Sequence, residues 1–121
     1  MSKSVLRDKS YAFAIRIVEL NRVICNERKE YVLSKQMLRS GTAIGALIRE
    51  AEFGQSRADF RNKMSIALKE ANETQYWLSL LKDTNFVDVK DYEAASGDCL
   101  ELIRMLVATV KTTGSPGKAG S

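Results

Sequence analysis

The chain has 121 residues, enough for one domain, and its 45% apolar and 28% charged content is the balance of a soluble globular protein. It has no histidine and only two, widely separated cysteines, so the commonest general base and a zinc site are both lacking, and no run approaches the roughly 20 apolar residues of a membrane span. The net charge of +4 is uneven: residues 1–69 hold 14 Lys/Arg against 7 Asp/Glu and residues 70–121 hold 5 against 8, which suits an anionic partner or complementary subunit patches.

With one proline and seven glycines, long stretches are open to helix, and an all-α fold is expected. The opening residues lack the apolar core of a signal peptide, which reads as a cytoplasmic protein. A first helix is predicted over about 9–27, with Phe13, Ile17, Leu20 and Ile24 on one face and Arg16, Glu19 and Arg22 towards water. The polar run Asn26–Glu30 breaks the pattern, Tyr31–Leu33 is expected to dock back on the core, and Ser34 is the expected cap of the next helix.

That second helix, about 35–53, carries Met37, Gly41, Ile44, Ile48 and Ala51 at four-three spacing. Gly41 and Gly45 each cost about 1 kcal/mol relative to alanine, so close approach of a neighbouring helix must offset them. Gly54 closes this helix, and Ser56-Arg-Ala-Asp59 is a capping box for a third, about 57–84. Here Phe60, Met64, Ala67, Ala71, Thr74, Leu78 and Leu81 form a seam of alternating fours and threes. Ile66, Trp77 and Leu80 make a second apolar stripe beside it.

Phe86 and Val87 should pack inward, with Asp88 or Asp91 capping a fourth helix, about 89–112. From Cys99 to Val110 this helix is apolar nearly all round, so Leu100, Met105 and Val107 join Ile66, Trp77 and Leu80 as candidates for an interface with another subunit. Cys25 and Cys99 are expected to be buried, reduced thiols. The bundle is thus assigned to residues 1–113, and 114–121 has the composition of a flexible tail.

Glu50, Glu52, Glu70 and Glu73 suggest a di-metal site only loosely, because Glu70-Ala-Asn-Glu73 has glutamate where such bundles place histidine; a salt-bridged face is the better reading. Gly41–Ala46 is no phosphate loop, since neither a Lys-Ser/Thr pair nor a strand adjoins it, and no nucleophile elbow or dinucleotide fingerprint occurs. The residues imply no catalytic group, metal or cofactor. What remains is a set of cations, Arg16, Arg22, Lys35, Arg39, Arg49, Arg57, Arg61 and Lys63, among which Lys35/Arg39 and Arg57/Arg61 place like charges one turn apart. These are the candidates for binding nucleic acid.

The segments Tyr31–Ala51, Gln55–Phe60 and Ser65–Leu78 together resemble the bacterial four-helix-bundle family of proteins encoded in intervening sequences of 23S rRNA genes; Leu47 departs from it where a polar residue, often asparagine, is usual. The resemblance implies an up-down-up-down four-helix bundle assembling into a ring-shaped homo-oligomer, a pentamer. Its relatives include the accessory variability protein of diversity-generating retroelements, a basic ring that binds nucleic acid and a reverse transcriptase. It implies no enzymatic activity. The reading that follows is a non-enzymatic oligomeric scaffold whose basic surface binds RNA or DNA. The alternative is a protein-interaction ring without a nucleic-acid role, an accessory partner of a reverse transcriptase being one form of it; an enzyme would need a site built between subunits.

Overall fold

The structure, a computed structural model, describes residues 2–114. It consists of α1 (Ser2–Val23), which runs on into a π-helical turn at Ile24–Arg28, α2 (Leu33–Glu52), α3 (Arg57–Asp83) and α4 (Val89–Gly114), with no strand among the described residues. Each helix packs on its neighbours in sequence and α1 closes against α4, giving an up-down-up-down bundle whose most extensive contact is α2 on α3. No described helix is long and apolar enough to cross a membrane.

The third-helix seam forms the middle of the core. Met64, Ala67, Ala71, Thr74, Leu78 and Leu81 are all buried, facing Phe13, Ile17, Met37, Ile44, Ile48, Leu102 and Leu106. Thr74 brings a hydroxyl into this apolar interior, where its Oγ1 lies 2.8 Å from both Ser40 Oγ and the Glu70 carbonyl, so the polar atoms are satisfied. Gly41 is buried against Ile17 of α1, the close approach its cost requires.

Several local expectations are corrected. α1 begins at Ser2 and not near residue 9, because Leu6 extends the buried face one turn beyond Ser10, whose hydroxyl is accommodated by donating to the Arg7 carbonyl at 3.0 Å. Ser34 is not a cap: it lies inside α2, buried, with its Oγ donating to the Glu30 carbonyl. The Glu30 carboxylate caps the helix instead, accepting from the backbone N–H groups of Val32 (3.0 Å), Leu33 (2.9 Å) and Ser34 (2.8 Å). Tyr31 and Val32 do not dock on the core but stand in solvent, and only Leu33 of that trio packs against it.

The remaining turns follow their sequence signals. Ser56 accepts a hydrogen bond from Asp59 N at 3.0 Å, and Asp88, not Asp91, caps α4 by accepting from Asp91 N at 2.8 Å. Asn85 takes the left-handed conformation between α3 and α4, after which Val87 is buried and Phe86 packs on the core. Cys99 is buried, as expected, whereas Cys25 on the π-helical turn is only partly covered. The expected tail begins with Gly114, which is the last residue of α4; residues 115–121 lie outside the described residues.

Candidate nucleic-acid interface

Alternating helix direction brings the start of α1, the end of α2, the start of α3 and the end of α4 to one pole of the bundle. An apolar cavity of about 700 Å³ opens there, lined by Leu6, Phe53, Phe60, Met64, Met105 and Ala108, with the Arg7–Glu52 ion pair (3.4 Å) at its edge. The opposite pole, formed by the π-helical turn, the start of α2 and the α3–α4 turn, lies the length of α2 away, roughly 30 Å for its 20 residues.

The eight candidate cations do not form one patch. Arg22 and Lys35 sit towards the far pole, and Arg16 and Arg39 on the flanks, while Arg49, Arg57, Arg61 and Lys63 gather at the cavity pole. Three are engaged within the bundle: Arg16 with Asp98 (2.8 Å), Arg39 with Glu70 (3.2 Å) and Glu73 (2.6 Å), and Lys63 with Glu50 (3.4 Å). Arg49 lies over the Tyr11 ring, and Arg57 Nε donates to the Thr113 carbonyl at 3.3 Å, at the C-terminal end of α4 where a cation is favoured. Arg22, Lys35 and Arg61 have no ion-pair partner among the described residues.

The poles differ in charge. Around the cavity, residues 5–9, 49–63 and 101–113 carry eight Lys/Arg against five Asp/Glu; at the other pole, residues 19–35 and 82–93 carry six against seven. Three of the five acids at the cavity pole are held by cations: Glu50 by Lys63, Glu52 by Arg7 and Glu101 by Lys9. Arg49, Arg57, Arg61, Arg104 and Lys111 remain outside these ion pairs, and of the acids in the same segments only Asp8 and Asp59 do. Sequence spacing missed Lys111, which belongs to the pole only once the last turns of α4 are laid beside the first turns of α3. The four glutamates considered for a metal, Glu50, Glu52, Glu70 and Glu73, each face a lysine or arginine.

The candidate interface residues also divide. Leu100 and Val107 are exposed (42% and 38%) and lie two turns apart on the outer side of α4, whereas Met105 lines the cavity. Ile66, Trp77 and Leu80 are half-buried beside the α2–α3 seam, where Trp77 Nε1 donates to Glu73 at 3.2 Å. That bond and the one from Arg39 hold the Glu73 carboxyl below its ordinary range. Phe53, 83% exposed at the cavity mouth, is the large apolar side chain that helical periodicity missed, because it falls at the last residue of the predicted second helix, off its buried face.

A family model described as 23S rRNA-intervening sequence protein matches residues 3–108. The crystal structure of a protein of unknown function from the S23 ribosomal protein family of Bacteroides thetaiotaomicron is similar throughout: TM-score 0.89 and 55% sequence identity, covering 92% of this chain and 99% of that one. No match is found among curated proteins.

Proposed function

Because the chain belongs to the 23S rRNA-intervening sequence protein family, and its structural relative from the S23 ribosomal protein family is described as of unknown function, we propose from its own charge distribution that it is a non-enzymatic oligomeric scaffold holding RNA or DNA by phosphate contacts at its cavity pole. The observation that carries this reading is the concentration there of Arg49, Arg57, Arg61 and Lys111 against Asp8 and Asp59, the other three acids of that pole being already paired, while Arg104, between Leu100 and Val107 on one stripe of α4, goes with the assembly face. Phosphate contacts of this kind supply affinity without sequence preference and weaken steeply with salt. Assembly multiplies the effect: five copies carry about +20, enough to attract a polyanion to a weakly basic chain. Exposed Leu100 and Val107 on α4 and Tyr76 on α3 support such an assembly.

The reading is tested by fluorescence anisotropy with mixed-sequence RNA and DNA at low and moderate salt, comparing the wild type with the double variant Arg61→Glu and Lys111→Glu. Binding at low salt with a steep salt dependence, shallower by about two counterions in the double variant, is expected. Absence of binding at low salt, or indifference to the reversals, favours the protein-interaction ring. Light scattering of the eluting protein tests the assembly, and a single copy at high concentration removes it.

A further inference from the structure

Phe53 is a solvent-exposed aromatic ring at the cationic pole, and the cavity it lines has Phe60, Met64, Met105 and Leu6 as further walls. From this juxtaposition, and resting on the nucleic-acid reading above, we infer that the pole selects single-stranded nucleic acid, stacking an unpaired base on Phe53 at the mouth of the apolar cavity while neighbouring phosphates meet Arg57 and Arg61. Phe53 is well placed for this. Its backbone N–H donates to the Glu50 carbonyl at 3.2 Å at the close of α2, so the ring projects from a fixed point. The next residue, Gly54, donates to the Ala51 carbonyl at 3.0 Å and completes the turn.

The cations lie close in the chain. Arg57 and Arg61 follow on the first two turns of α3, one turn apart on the same face, and flank Phe60 of the cavity wall. Arg57 uses its Nε on the Thr113 carbonyl, which leaves its terminal nitrogens for a phosphate. An aromatic face beside a track of cations is how proteins take single strands without reading sequence, since every base has a face to stack. A duplex does not offer one: its bases are stacked on each other, and only an unpaired base reaches an apolar recess. A cavity of about 700 Å³ with few polar groups, Arg7, Glu52 and Thr109, falls within the range of small-ligand pockets and admits a flat heterocycle with its polar edge outward. A second copy docked pole to pole is the poorer occupant, because it sets one excess of cations against another.

The test compares a labelled 12-nucleotide single strand with a hairpin duplex of the same composition, using the wild type, Phe53→Ala and Phe53→Trp. Phe53→Ala is expected to weaken single-strand binding about 5- to 150-fold, the worth of one stacked base, while duplex binding is unchanged and Phe53→Trp retains the wild-type preference. The side chain is solvent-exposed, so both variants are expected to fold, which circular dichroism checks. If the wild type binds both nucleic acids and Phe53→Ala alters neither, the stacking inference is overturned and the phosphate reading stands. If neither nucleic acid binds, both fall together.

Discussion

Gly41 and Ile17 meet so closely that a methyl group on Gly41 would stand 3.0 Å from both Cγ1 and Cγ2 of Ile17. Ile17 is fully buried and β-branched, so it has little freedom to retreat. Overpacking of this kind costs about 1–3 kcal/mol, against a gain of about 1 kcal/mol in helix propensity, so Gly41→Ala should lose up to about 2 kcal/mol. At Gly45 the same methyl would lie 3.4 Å from Ser10 Oγ, and Gly45→Ala should be neutral or slightly stabilising. Urea midpoints of the two variants check this, and equal shifts would refute the packing account.

Glu30 holds the start of α2 through three backbone N–H groups. Burial pushes its carboxyl up, but the bonds from Leu33, Ser34 and Val32 outweigh that and leave it below the ordinary 4.5. A lowered folded value means that the cap contributes fully above pH 4.5 and is lost as pH falls through the folded value. Glu30→Ala should cost about 1–2 kcal/mol at pH 7 and less at pH 3. Chemical denaturation at the two pH values measures the difference.

Trp77 is the only tryptophan and donates to Glu73, so its fluorescence reports that carboxylate. The Trp77 bond, followed by that from Arg39, lowers the Glu73 carboxyl, so the emission should stay constant down to pH 4.5 and change at more acid pH. In Glu73→Gln this transition should disappear. Because Arg39 is half-exposed, the stability cost of that variant should be under about 1 kcal/mol.

Cys99 should resist alkylation in the native state at pH 8. Burial, followed by the nearby Asp98, pushes its thiol up to about 12, and its Sγ donates to the Ala71 carbonyl at 3.3 Å. Since the folded value lies above the ordinary 9.0, the thiol's contribution is complete below pH 9 and is lost as pH rises towards 12. Mass spectrometry after iodoacetamide should find label on Cys25, which is partly exposed, before Cys99; equal labelling would contradict the burial.

What was legible from the residues was mostly local. The seam from Met64 to Leu81 could be read because its burial repeats on every turn of one helix, and Gly41 because its cost demands a partner; the same expectation fails at Gly45, where a methyl would meet Ser10 only at ordinary contact distance. Ser10 concealed the first turns of α1, since a hydroxyl on an apolar face reads as a break until its bond to the Arg7 carbonyl is seen. Glu30 was missed because it caps from outside the usual set of short polar residues. Arg39 and Glu73 are 34 residues apart and Arg16 and Asp98 are 82, distances at which local spacing carries no information about pairing. The same blindness kept Lys111 from being grouped with Arg57 and Arg61.

The alternating run of the helices has a practical side. The first turns of α1, through Leu6 and Arg7, and the last turns of α4, through Ala108 and Thr109, both line the recess beside Phe53, so a bulky label attached to either stretch crowds the very entrance it is meant to report on. The turn around Asn85, a helix length away, is where a small dye leaves that doorway clear.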